Sequence, residues 1–330
     1  MQKMLTFDSF TLIPSYSDIS SRNEVDVSTD ICGIKSDLPI INANMLSICT
    51  PEMIDVLSNK YNTFSSYHRF FETIDAKKKT LLKIIEQNPN SRKHFWMSVG
   101  VKKEEYEFVG WLNDVGIKNV IVDVNHGHHK MVGDVIKHIK SNYKDIRIIV
   151  GNVSSNDGIK FLRDNGADVV KCGNSYGHSC STIKQSGFGV HPMYVIKTYR
   201  EQTNDWDTNL CPDGGIRVAA DIAKCLIYGN VVMIGSMLAG SDESYGTKIS
   251  HDGFLYRQFY GNASIRTKQV ASEENHVKFV EGTTRLVPCT GSIENTLKDI
   301  KEGLQSAFSF VGARNLKEYQ QKATNQMLYV

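Results

Sequence analysis

Residues 146–151 read IRIIVG, residues 157–165 read DGIKFLRDN and residues 168–172 read DVVKC. The first and last are short β-branched apolar runs, and the middle stretch alternates apolar and charged residues as a surface helix does. Strand, helix and strand in that order make a parallel β-α-β unit. The alternation continues on both sides. Strand-like runs cover Leu38 to Ala43, Asn62 to Tyr67, Phe95 to Gly100, Val120 to Val124, Ile146 to Gly151, Asp168 to Cys172, Asn209 to Asp213 and Val231 to Ile234. Helical spacing fills stretches such as Glu52 to Ser58, Lys77 to Glu86 and Lys103 to Val115. Eight strands alternating with helices predict an α/β fold, a closed (β/α)8 TIM barrel, as one catalytic domain over residues 1–330. Ser241 to Gly291 fits no further unit. With Asp252, Gly253 and the polar stretch Thr267 to His276, it is read as an insertion after the last strand, part of it a mobile flap.

Composition excludes several classes of function. The chain has 330 residues, 41% hydrophobic and 22% charged, enough to bury a large core. Its 38 basic and 36 acidic residues leave a net charge of +2, too balanced to imply a nucleic-acid partner. Seven cysteines with no C-x-x-C pair argue against a disulfide framework and a zinc ribbon, and the reducing cytoplasm is the simplest compartment. No apolar run approaches the roughly 18 residues of a membrane span.

In such a barrel, chemistry collects on the loops that follow the strands. The loop from Gly173 to Thr182 joins two glycines to Cys180, a soft nucleophile, although an incidental cysteine on a flexible loop reads the same way. Asp213, Gly214 and Gly215 end the seventh run, and Gly235 and Ser236 end the eighth. Glycine loops at those two positions point to a phosphorylated ligand. There is no G-x-G-x-x-G after a strand and no Walker-type loop. His126, His128 and His129 cluster without carboxylates, which favours ligand contact or simple exposure over a metal. Glu281 alone reads as a surface carboxylate.

These residues resemble the IMP dehydrogenase and GMP reductase family over nearly the whole chain. Phe7, Asp8, Ile13, Pro14, Ser21, Arg22, Glu24, Val25 and Asp26 follow the family's opening, and Pro39, Ile40, Ile41, Ala43, Asn44 and Met45 its first-strand motif. Gly173, Gly177, Cys180 and Thr182 lie in register with its cysteine loop. Asp213 to Gly215, Ile234 to Gly240, Gly261, Glu281 and Gly282 match further on. No room is left after Gly100 for CBS domains, and Ser264 to Glu281 carries no Arg-Tyr pair of the kind that activates water in the dehydrogenases. The reductase branch, in the form found in many Gram-positive bacteria, is the nearer resemblance.

The resemblance implies NADPH-dependent reductive deamination of GMP to IMP and ammonia. Cys180 would be the nucleophile, with Thr182 and Glu281 supplying the proton for the leaving ammonia. Asp213, Gly214, Gly215, Gly235, Ser236, Asn262 and Lys278 would bind the nucleotide. His68, Arg69, Ser98, Asp123, His126 and Asn152 would face the cofactor. A monovalent cation such as K+ is implied at Gly173, Ser175 and Cys180, and a cytoplasmic homotetramer as the assembly. Asn174, Ser175, Tyr176 and His178 depart from the family's loop, where an apolar residue, glycine, proline and a serine or lysine are usual, and Asn262 replaces a frequent methionine. Those departures keep open a reductase for a deoxy or modified purine nucleotide. A dehydrogenase without CBS domains and a silent nucleotide-binding barrel are the other readings.

Overall fold

In the computed structural model, described over residues 4–271 and 282–330, a strand falls on each of the eight apolar runs, shifted or extended by one or two residues at Val120 to Val124 and Ile146 to Gly151. The strands are β1 (Ile40–Asn42), β2 (Ser65–Tyr67), β3 (Phe95–Val99), β4 (Asn119–Asp123), β5 (Arg147–Val153), β6 (Val169–Cys172), β7 (Asn209–Pro212) and β8 (Val232–Ile234). Strands β2 to β7 pair in sequence order as one curled, six-stranded parallel sheet. β8 pairs with β1, also in parallel. Single parallel bridges join Ile41 to Phe64, next to β2, and Asp213, just after β7, to Met233 of β8. The continuous apolar character of the runs has a direct cause: every residue of β3 and β4 is buried, as parallel strands covered on both faces require.

Helices follow the strands: α1 (Pro51–Ile54, prolonged to Lys60 by a π-turn), α2 (Ile74–Gln87), α3 (Lys103–Asp114), α4 (Lys130–Asn142), α5 (Asn156–Asp164), α6 (Pro192–Thr203), α7 (Ala219–Leu226) and α8 (Ile293–Ser309). In α4, Val132, Val135, Ile136 and Ile139 fall on one face and are buried, while Lys130, Asp134 and Lys137 stay outside. Thr73, Ser155 and Ser292 start α2, α5 and α8 by accepting backbone N–H bonds that the first helical turn leaves unpaired.

The insertion between β8 and α8 is a three-stranded antiparallel sheet of β9 (Lys248–His251), β10 (Phe254–Tyr260) and β11 (Thr284–Pro288). Asp252 and Gly253 turn the β9–β10 hairpin with φ of 48° and 77°, the left-handed pair a two-residue hairpin demands. The Asp-Gly pair is the local sequence signal of this hairpin, whose strands the apolar pattern does not mark. Of the polar stretch Thr267 to His276, Thr267 to Ala271 belong to a helix (Ile265–Ala271), and the rest lies outside the described residues. Arg257 fixes the base of this sheet. Buried, it donates to the carbonyls of Ser244 (2.7 Å), Gly246 (2.8 Å) and Asp242 (2.9 Å).

Arg257→Met would leave those carbonyls with no donor, at a cost of about 1–3 kcal/mol. Hydrogen exchange should quicken across residues 242–260 in this variant and leave β3 to β6 unchanged. Uniform protection would show that Arg257 does not hold the insertion.

Candidate active site

The strands deliver their following loops to one rim, and there a cavity of about 390 Å³ opens. Its lining gathers most of the residues the sequence singled out. Cys180 and Thr182 form one wall, with Gly173 and Ser175 from the same loop. Asp213, Gly214 and Gly215 lie beside Gly235 and Ser236, so the two glycine loops meet as expected. Arg69, Asp123, Asn152 and Asn262 complete the set. His68, Ser98 and His126 are not part of this lining. His68 and Ser98 are buried beneath it and His126 is exposed. Lys278 and Glu281 lie outside the described residues.

Cys180 occupies its place because its loop is held at both ends. Gly173 has φ of 110°, and a Cβ on it would lie 2.6 Å from the carbonyl oxygen of Asp213, so the cysteine loop and the loop after β7 touch through a position without a side chain. At the other end Cys180 pairs with Gly282, and the Thr283 amide donates to the Ser179 carbonyl at 2.8 Å. The insertion therefore returns directly onto the cysteine. Cys180 Sγ stands 3.3 Å from Thr182 Oγ1.

The departures in the loop are accommodated locally. Ser175 adopts φ of 73°, a left-handed conformation, and its hydroxyl donates to the Phe188 carbonyl at 2.8 Å. Tyr176 lies edge-on to His191 at 4.9 Å. His178 lines the cavity, and burial, helped by Arg285 and Arg217, lowers its pKa.

The floor carries a row of alternating charge. Lys171 places Nζ 3.1 Å from Asp123 Oδ1 and 3.2 Å from Asp213 Oδ2. Arg69 approaches Asp123 at 3.6 Å, and Asn152 donates to Asp213 Oδ2 at 2.9 Å and to the Gly173 carbonyl at 2.8 Å. Burial would raise the pKa of Asp123, but Lys171 and Arg69 outweigh it and hold the carboxyl below its ordinary range. Burial also works against the charge on Lys171, and the two aspartates reverse it. No role follows for Lys171 from motif reading alone. Its signal was present all the same: a lysine inside the apolar run DVVKC has to find a partner once buried. His68, by contrast, is pushed down to about 3 by burial and by Lys77, so it is a neutral core histidine that accepts the Phe70 amide through Nδ1 at 3.2 Å. Among the described residues no three His, Cys, Asp or Glu side chains are placed to hold a metal ion.

The description "IMP dehydrogenase / GMP reductase domain" belongs to a family model that matches residues 4–328. The chain is 34% identical over 323 residues to a GMP reductase of Oenococcus oeni, across 96% of this chain and 94% of that one. It is also 34% identical over 311 residues to a GMP reductase of Streptococcus pyogenes serotype M5, across 94% and 91%.

The cavity separates the cysteines by environment. Cys49, Cys172, Cys211 and Cys225 are buried, and burial raises every one of their pKa values, Cys49 to about 12. Alkylation of the native protein followed by peptide mass spectrometry should modify Cys180 while these four stay protected until unfolding. Modification of the four before Cys180 would contradict this site.

Proposed function

This chain belongs to the IMP dehydrogenase / GMP reductase family, and we propose that it reduces GMP to IMP and ammonia with NADPH, through a purine bound covalently to Cys180. The observation that carries the reading is the placement of Cys180 and Thr182 on the wall of a cavity whose other side is built from Asp213 and the two glycine loops. A silent binding protein would need neither the thiol nor the hydroxyl there.

Each part of the site has a task. Gly214, Gly215, Gly235 and Ser236 receive the phosphate through backbone N–H groups and the serine hydroxyl. Asp213 takes a ribose hydroxyl, since both of its bonds to protein side chains fall on Oδ2. Asn262 and Lys278 complete the nucleotide's surroundings. The Cys180 thiolate adds to C2 of the purine. The 2-amino group leaves as ammonia after taking a proton, because an amide anion is a prohibitive leaving group, and Thr182 with Glu281 handles that proton. NADPH, when bound, supplies the hydride that is added to C2. The C–S bond then breaks, its electron pair returns to sulfur, and IMP is released.

Asp123, Arg69 and Asn152 fit that cofactor by their chemistry: a carboxylate kept ionised beside a guanidinium, and an amide held by Asp213, all lining the cavity. His68, Ser98 and His126 belong to the surroundings of this region and not to its lining. Asn262 Oδ1, buried and with no protein partner, leaves one acceptor for a ligand. For K+, the carbonyls of Gly173, Ser175 and Cys180 are the available oxygens, and Gly173 already lends one lone pair to Asn152.

We read the sheet as a closed eight-stranded barrel in a single domain. The bridges from Ile41 to Phe64 and from Asp213 to Met233 support closure, because they sit at the two seams between the six-stranded sheet and the β8–β1 pair. The homotetramer is carried over from the resemblance, and the cytoplasm from the cysteine usage. No helix among the described residues is long and apolar enough to cross a membrane.

With GMP and NADPH the purified protein should release ammonia and IMP, and with IMP and NAD it should form little XMP. Cys180→Ala should lower turnover by several orders of magnitude while GMP still binds. Robust XMP formation would make the chain a dehydrogenase, and an active alanine variant would remove the covalent step. Guanosine should bind at least about tenfold more weakly than GMP, since charge-assisted bonds contribute about 1.5–3 kcal/mol each. Equal affinities would rule out the phosphate loops.

A further inference from the structure

Lys171 is 2% exposed at the end of β6, and its neighbours belong to both halves of the ligand site. Asp123 closes β4 on the side assigned to the cofactor, and Asp213 follows β7 on the side assigned to the nucleotide. One ammonium serves both, at 3.1 Å and 3.2 Å. Arg69 stands beyond Asp123 and Asn152 beyond Asp213, so the row Arg69, Asp123, Lys171, Asp213 spans the floor with charges alternating in sign.

We propose that Lys171 is a positioning residue whose single ammonium, shared between Asp123 and Asp213, sets the register between the bound dinucleotide and the bound purine nucleotide. The proposal rests on the assignment of those two carboxylates to cofactor and nucleotide given above. Hydride transfer tolerates little displacement of donor and acceptor, so two carboxylates that each orient one reactant have to be fixed relative to each other. A lysine bonded to both fixes them directly, and being buried it cannot turn to water instead.

The same arrangement makes the site depend on one charge. Asp123 is faced by Lys171, by Arg69 and by the amide of Asn44. Asp213 is faced by Lys171, by Asn152 and by the buried thiols of Cys172 and Cys211, both held protonated by burial. Without the ammonium, Arg69 is the one cation left beside Asp123 among the described residues of this row, and burial then favours its neutral carboxyl. A carboxylate that has taken a proton no longer accepts a ribose hydroxyl on that oxygen.

The test compares wild type with Lys171→Met and Lys171→Arg. Calorimetry gives the affinities for GMP and for NADPH separately, turnover is followed from alkaline to mildly acid pH, and infrared spectroscopy reports protonated carboxyl groups. We expect K171M to weaken both ligands, to lose turnover progressively as pH falls through a range where the wild type is flat, and to show a protonated-carboxyl band at neutral pH. K171R, which keeps the charge in a different shape, should restore the flat pH profile and lose kcat more than affinity. A K171M protein that keeps both affinities, or that shows no carboxyl band and no new pH dependence, overturns the proposal. If the wild type binds neither GMP nor NADPH, the functional assignment fails, while the infrared band still decides whether Lys171 keeps Asp123 ionised. Should K171M not fold, K171M/D213N leaves Asp123 as the one carboxylate that has lost the ammonium, and the same band is the readout.

Discussion

A buried ammonium cannot be left unpaired, and in this protein the one at Lys171 is paired twice. The cost of desolvating a charge is several kcal/mol, and the interior returns it only when the partners are close and themselves well bonded. That requirement ties the end of β6 to the end of β4 and to the loop after β7, three segments far apart in sequence. It also explains why Asn152 and Arg69 stand where they do: each bonds or neutralises a carboxylate that Lys171 alone would share too thinly. Parallel strands bring their loops to one rim as a matter of topology, but topology alone leaves those loops free to shift. The charge row across the floor removes that freedom.

The cysteine loop is held by a different kind of contact. Where the floor is fixed by charge, Cys180 is fixed by backbone, through Gly282 and Thr283 on the returning arm of the insertion. A Cβ on Gly282 would meet the Ser264 amide at 2.7 Å, so this return is a close approach of two chains that a larger residue would push apart. The antiparallel sheet β9–β10–β11 is thus more than a cover. Its base is anchored by Arg257, and its far end reaches Cys180. Asp242 and Thr290, bonded through their amides to Gly291 and Gly240, close the insertion where it leaves and rejoins the chain.

How far the sequence foretold this follows from the range of each signal. Strands β1 to β8 were legible because burial on both faces demands apolar runs, and the alternation from Asp157 to Asn165 announces α5 by its one buried face, with Ile159 and Leu162 inside. That the loops after β7 and β8 would meet was legible because a parallel barrel brings strand-end loops to one rim, and Asp213 to Gly215 and Gly235 to Ser236 do line one cavity. The antiparallel sheet was not read, since its strands are largely exposed and lack a repeating apolar side: Phe254 and Leu255 point to solvent together. His68 looked like a ligand residue by its motif and turned out to be buried, because a linear motif carries no information about depth. The pairing of Lys171 is a contact across 48 residues to Asp123 and 42 to Asp213, and a local pattern can announce only that a partner is needed.

The departures in the cysteine loop show one constraint met by other means. Where the family commonly has glycine and proline, this chain has Ser175 and Tyr176, so both the free backbone and the stiff one are gone. Ser175 still adopts the left-handed conformation, which costs a residue with a Cβ about 1–2 kcal/mol, and its hydroxyl bond to Phe188 offsets part of that. Tyr176 has no ring closed on its backbone, but its side chain packs edge-on against His191, which in turn packs edge-on against Phe7 at 4.5 Å. His191 is suited to that place because burial pushes its pKa down to about 4. The neutral ring can then accept the Met193 amide through Nδ1 and cap α6. Rigidity that elsewhere resides in the backbone of two residues is spread here over a stack reaching the N-terminal segment. The loop that carries Cys180 is therefore linked, through Tyr176 and His191, to Phe7, a residue outside the cavity lining.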